Sequence, residues 1–474
     1  MHSAALWWVA AQDREVGRPQ KEPHEIITPE EFVENYSVPH GWFVEHLRTV
    51  ATEEAACKTL PFTLLVVLAF TLSVVLHDPT VSVVAVEDSI THDITENANF
   101  AFSSAYIGHK SVYDVNSQAD FWSWLIQGYV PLIFQQTQTF SEDQVLDHPD
   151  IAQVPANLTR GVLLNYNRIV GGVRIRQERS DDKPCETLFE LVRFYGKRCV
   201  GGLGYELYPE LPGATITTDP TREFWLYVPD DVNTMLDVLY TKEVDLWLDE
   251  RTRKVEIVFP MFNVDVGLYS LVATNFYFSR GGHIWKRIIP MSTYSEWYDG
   301  YASAVVDIVW LLCLLRMSFL EFRTAFQAAR ASGVAGLRKH FTYWVIVDCC
   351  SIAFGLGIIL LFFGRMSGSE LVNKEFTSLL DLPDQPGRLE EYKAKVSVFV
   401  DALEGEVQRT NTLRLASGTY PLVVLLQMFK AFSAQPRLSI VTETLNSARL
   451  DLLHFLLVFI SILLAFVVAG GVLF

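Results

Sequence analysis

The sequence predicts a multi-pass α-helical membrane protein with one large α+β domain outside the membrane. Three observations predict it. Half of the 474 residues are hydrophobic, 20% are charged and 13% are aromatic, a composition rich for a chain that must stay dissolved. Five apolar stretches approach the ~20 residues a helix needs to span a bilayer. Between the first and second lies a segment of roughly 220 residues, long enough for a folded domain. The formal net charge of -17 leaves no basic stripe to displace counterions from phosphates, so no nucleic-acid partner is expected. Pro and Gly are spread along the chain, and no repeat or low-complexity segment stands out.

Taken in order, residues 1–58 form an N-terminal segment. Its opening MHSAALWWVAAQ lacks the basic n-region of a signal peptide. The first spanning helix is placed at 59–76, where the run from Leu60 to Leu76 carries no charge and no polar stripe. It reads as an uncleaved signal anchor. The other spans are Tyr301 to Phe322 with Asp307 and Arg316, Phe341 to Phe363 with Asp348, Thr412 to Phe432 with Lys430, and Leu450 to Phe474 with Asp451 and His454 in its first turn. Basic residues at helix ends set orientation. Arg48 and Lys58 precede the first span, and no Lys or Arg follows it until Lys110. The loop 323–340 holds Arg323, Arg330, Arg338 and Lys339 without an acid. Both are therefore expected in the cytosol, and crossing parity then puts 77–298 and the loop 364–411 outside.

Within 77–298 the run Val255 to Ser279 alternates and is rich in β-branched and aromatic residues, as is Phe224 to Val228, which predicts strands. Val232, Met235, Leu236 and Leu239 recur at helical spacing in Asp230 to Glu243. From His77 to Trp297 there are 30 acids against 18 bases; a solvated acidic surface and attraction of cations to a channel mouth both fit. Cys185 and Cys199 are the two external cysteines of six. An oxidising compartment predicts that they are bridged, the alternative being two buried thiols. The intervening sequence offers too few ligands for zinc. Asn157-Leu-Thr is the external N-glycosylation sequon.

Ionisable groups in hydrocarbon cost about 2.5–3.5 kcal/mol on insertion scales and usually meet a partner inside a bundle. Asp348 and Lys430 are the expected intramembrane charge pair, either a rudimentary voltage sensor or a structural ion pair. With Lys430 as the one clear basic residue in the middle or later part of its helix, steep voltage gating is not expected, since one charge moved through 100 mV yields only ~2.3 kcal/mol. Arg316, Asp307, Asp451 and His454 read as snorkelling, helix-end or linker contacts. No phosphate loop, HExxH or nucleophile elbow is present. Neither an enzyme nor a cofactor is expected.

Several stretches resemble a known family. GGVRIRQERS at Gly171 to Ser180, the pair Cys185 and Cys199, WLDERTRKVEIVFPMFNVDVGLYSLV at Trp247 to Val272 and FSRGGHIWKRIIP at Phe278 to Pro290 are similar to the polycystin-mucolipin domain of polycystin-type transient receptor potential channels. Leu425 to Phe466 is similar to the fourth helix, linker and fifth helix of the same family. The resemblance covers roughly Leu60 to Phe474 and leaves out the first 58 residues.

It implies a voltage-sensor-like helix bundle at 299–433, an external polycystin-mucolipin domain at 77–298, and a linker with the fifth helix at 434–474. In the family a pore helix and a sixth helix follow; they are absent from this sequence, as a fragment, a split gene or a natural truncation would all produce. The implied function is a subunit of a homo- or hetero-tetrameric, non-selective, calcium-permeable cation channel among membrane lipids, in a plasma, ciliary or endomembrane. A non-conducting receptor or assembly regulator acting through the external domain is the rival reading.

Overall fold

The computed structural model describes residues 40–101, 110–134, 161–164, 166–185, 187, 189–196, 199–200, 222–296, 298, 300–380, 382, 387–432 and 436–473; within helices, side chains of stretches such as 51–60 and 429–443 lie outside this description. The chain divides into two compact units, Thr63–Met428 and a second made of Met1–Phe62 with Phe429–Phe474. Among the described residues, four stretches are long and apolar enough to cross a membrane: Pro61–Asn97, Tyr301–Gly336, Tyr343–Leu380 and Ser447–Gly470. Together with the sheet described below, they make a mostly helical membrane protein with one β region.

Helix α1 (His40–His77) stops at Asp78-Pro79, and α2 (Thr80–Asn97) starts directly after. Proline supplies no amide hydrogen, so it serves at the first turn of a helix and interrupts one that is already running. The sequence reading ended the first span at residue 76 and did not foresee α2. Further on, Ser117 caps α3 (Gln118–Ser123) by accepting from the Asp120 amide, and a π-helical turn (Trp124–Tyr129) leads into α4 (Val130–Phe134).

Among the described residues nine strands follow: β1 (Val162–Leu163), β2 (Asn167–Ile169), β3 (Gly172–Arg179), β4 (Asp182–Lys183), β5 (Cys199–Val200), β6 (Arg222–Tyr227), β7 (Thr252–Asn263), β8 (Leu268–Phe278) and β9 (Ile284–Tyr294). Helix α5 (Phe189–Tyr195) lies between β4 and β5, and α6 (Val232–Val244) between β6 and β7. All pairings are antiparallel. One edge of the long β7 holds β3 and β2 in succession, and the other holds β8, which pairs with β9. β6 closes the far side of β3. β4 and β5 form a separate two-stranded ladder.

The alternation of side chains along a strand gives this sheet two buried faces. On one, Val173, Ile175, Val255, Ile257 and Phe276 pack with Val86, Ile90, Trp124, Tyr129 and Leu239 from α2, the π-helical turn and α6. On the other, Val258, Tyr269 and Leu271 pack against Val372 and Leu379 of α8 (Tyr343–Leu380) and Tyr392, Val396, Phe399 and Leu403 of α9 (Leu389–Phe432). The segment 364–411, expected as a loop, is thus helical except around its turn, and its two helices cover the sheet. At 1.5 Å per residue a 38- or 44-residue helix far exceeds a hydrocarbon core of ~30 Å. The loop expected at 323–340 is likewise helical: α7 (Tyr301–His340) runs through it, broken only at Ser332 and Gly333, where φ reaches 58°. The span expected at Thr412 to Phe432 is the second half of α9, which is not among the four apolar stretches.

In the second unit, α10 (Pro436–Leu473) contains the Ser447–Gly470 stretch, exposed along its length.

Candidate functional site

Two polar centres lie among the spanning helices. Asp307, in the second turn of α7, accepts from Ser73 Oγ at 2.6 Å and from Tyr298 OH at 2.8 Å, and its Oδ2 lies 2.7 Å from His77 Nε2. Ser73 and His77 are four apart at the end of α1, hence on one face. Phe362 of α8 sets its ring edge-on to His77 at 5.0 Å. The helix-end role given to Asp307 from sequence is replaced by that of a hub joining α1, the approach to α7 and α7 itself. No compositional signal marks such a hub; the i, i+4 Ser-His pair was the readable half.

At the second centre, the expected partner of Asp348 was Lys430. The structure places Asp348 beside Gln427, whose Nε2 donates to Oδ1 at 3.1 Å, with both side chains buried. The side chain of Lys430 lies outside the described residues. Asp451 and His454 are exposed on α10, and Arg316 is exposed on α7.

In the sheet domain Cys185 and Cys199 are disulfide-bonded with Cα atoms 5.1 Å apart, closing a loop around α5 beside the β4–β5 ladder. Asn157 lies outside the described residues. Among the described cysteines, Cys313, Cys349 and Cys350 are free.

The most extensive polar constellation was not foreseen. It is the seam between the sheet and the α8–α9 pair. β3 alternates Val173 and Ile175 toward one face with Arg174 and Arg176 toward the other, where α9 lies. Arg174, 3% exposed, donates from Nη1 to Asp401 at 2.6 Å and from Nη2 to Glu404 at 2.5 Å. Its guanidinium also sits 5.5 Å from the Trp225 ring. Arg176 Nη2 donates to Glu256 at 2.9 Å and reaches Glu404 at 3.4 Å. A forked guanidinium suits such two-acceptor bonding in a way a lysine does not.

Neutral bonds extend the seam. Tyr269 OH donates to Asn373 at 3.0 Å, while Asn373 and Ser369 of α8 donate to the Ser295 carbonyl at 2.9 and 2.8 Å. Thr293 and Thr410 share a buried hydroxyl contact at 2.9 Å. Burial raises the Tyr269 phenol well above its usual range and pushes Tyr392 up to about 12, so both stay protonated donors. At the far end Arg414 holds Asp78, just after α1, through bonds of 2.6 and 3.0 Å.

A signal for the seam existed in the sequence. Tyr392, Val396, Phe399, Leu403 and Val407 recur at steps of four and three, the mark of a buried helical stripe, with Asp401 and Glu404 beside it. Among the described residues the seam holds no group of side chains suited to a metal ion. Its bonds and apolar packing join the sheet to both α8 and α9. Against this geometry the comparisons with known proteins add no name, for no family model and no curated protein matches the chain.

Proposed function

We propose that the protein is a polycystin-like subunit of a tetrameric, non-selective, calcium-permeable cation channel, with a cytosolic N-terminus and an external polycystin-mucolipin-like domain. The helices α7 to α9 with the end of α1 act as the voltage-sensor-like bundle. The ion pathway belongs to the pore and sixth helices that the family places after the fifth. The observation that carries this reading is the seam. A sheet domain inserted between the first and second spanning stretches grips the extension of α9 through the buried Arg174 and packs its apolar face against the extension of α8, so that an external event is delivered to the helices that would open a pore.

The test is a chimera. The chain joined after Phe474 to the pore helix and sixth helix of a polycystin-type channel is expected to conduct Na⁺, K⁺ and Ca²⁺ under voltage clamp. Surface tetramers that carry no current would overturn the proposal.

One feature favours the rival, a receptor or assembly regulator. Phe189 and Phe194 of α5 stand largely in solvent, as residues awaiting a partner do. Under that reading, co-expression with a conducting subunit lowers its current, and replacing both phenylalanines with serine restores it.

A further inference from the structure

One ion pair in the seam is left unmade. Arg365 of α8 is 3% exposed, and its Nε and Nη2 have no hydrogen-bond partner among the described residues. These two nitrogens form the side edge of the guanidinium, the edge that takes a carboxylate two-handed. Across from it on α9, Glu406 is fully buried, and its Oε1 also lacks a partner. The other oxygen, Oε2, makes only a long contact of 3.4 Å to Arg409 Nη1, which is half exposed on the same helix. The carboxylate of Glu406 lies so close against Gly368 that any β-carbon there would collide with it. Gly368 is one helical turn from Arg365, and the guanidinium of Arg365 acts on the Glu406 carboxyl through space.

We propose that Glu406 and Arg365 are the two halves of a proton-operated latch: on losing its proton, Glu406 leaves Arg409 and takes the open edge of Arg365, tying α9 to α8. The proton departs to solvent past the half-exposed Arg409. The acid is poised for this. Burial, opposed by Arg365 and Arg409, holds Glu406 up to about 7, so the neutral acid and the carboxylate exchange near neutrality.

The other charged and titratable groups around the pair leave Glu406 as its natural partner. Asp78, between α1 and α2, acts on Arg365 but is held by both arms of Arg414. Glu87 of α2 faces Ser292 and Arg414. Tyr294 of β9 donates to the Pro79 carbonyl. The latch lies two residues beyond Glu404, so its closing acts on the same stretch of α9 that Arg174 grips. It does not depend on ion conduction.

Difference infrared spectroscopy of the full chain in nanodiscs tests the chemistry, and spin-label distances between Thr377→Cys on α8 and Val398→Cys on α9 test the motion, in a background with free cysteines replaced by alanine. A protonated-carboxyl band is expected to vanish with a midpoint near 7 in the parent and to be missing in Glu406→Gln. The distance should change at the same midpoint, by on the order of 1–2 Å, the scale of helix shifts at packed interfaces. Arg365→Gln is expected to raise the midpoint by a unit or more, a tenfold gain in proton affinity. Arg365→Lys, which keeps the charge and the fold but loses the two-handed edge, should keep the band and lose the distance change. A band with no accompanying distance change, or a Glu406 ionised down to pH 5, overturns the latch.

Discussion

Arg174 and Glu404 are 230 positions apart in sequence and 2.5 Å apart in space. No local pattern could announce that pairing. Removing Arg174 leaves Glu404, only 15% exposed, without its main counter-charge. Breaking a buried pair from one side costs about 3–5 kcal/mol. Asp401, its side chain 66% exposed, contributes little, because solvent screens it. Arg174→Ala should therefore lower unfolding stability by several kcal/mol, measured by tryptophan fluorescence in denaturant, while Asp401→Ala should cost less than about 1 kcal/mol. Equal losses would show that the seam is not organised around Arg174. A second residue-scale expectation concerns Gly172. A β-carbon there would overlap the Leu226 carbonyl and approach the Tyr227 Cα to 3.0 Å, both backbone atoms of β6 that cannot swing aside. Gly172→Ala should cost about 1–3 kcal/mol as overpacking does, and should raise amide exchange in β6 before it does so in β8.

Elements were legible wherever their period was undisturbed. The run Val255 to Ser279 became the β7–β8 pair, Phe224 to Val228 became β6, and Asp230 to Glu243 became α6, with Asp231 capping it by accepting from the Asn233 amide at 3.2 Å. The misreadings share one physical cause. Residues 364–411 and 323–340 carry too many charges to look like spans, and low hydropathy does not distinguish a loop from a polar helix. Helix formation asks only for a buried stripe and good propensity, which Tyr392 to Val407 supplies. The disulfide was legible because compartment and cysteine count decide it. Closing a loop of about 15 residues is worth about 3 kcal/mol on the chain-entropy estimate. Cys185→Ser is expected to open the α5 loop, so that limited proteolysis cuts within 186–198 while the seven-stranded sheet stays protected. Native peptide mapping with both thiols alkylatable would contradict the bridge.

At the scale of the molecule, sidedness no longer rests on basic residues alone. Tyr392, Val396 and Phe399 of α9 are packed into the same core as Val258 and Tyr269 of the sheet. The segment between α8 and α9 therefore lies on the same side of the membrane as the segment between α1 and α7. Two apolar stretches, Tyr301–Gly336 and Tyr343–Leu380, separate those segments, and two crossings return the chain to the side it left. On the proposed orientation, the basic flanks of 323–340 would put that side outside the cytosol. A sequon built into the segment between α8 and α9 by Asp384→Asn with Pro386→Ser should be glycosylated whenever Asn157 is, whereas an epitope inserted after Gly333 should be reached only from the cytosol. Glycan at Asn157 with the built-in sequon unmodified would leave the orientation standing, because many sequons go unused. An epitope in the segment between α8 and α9 accessible from the cytosol while Asn157 is glycosylated would instead separate two segments that share one hydrophobic core, and the sheet-to-helix packing on which the seam, the latch and the proposed coupling depend would fall with it.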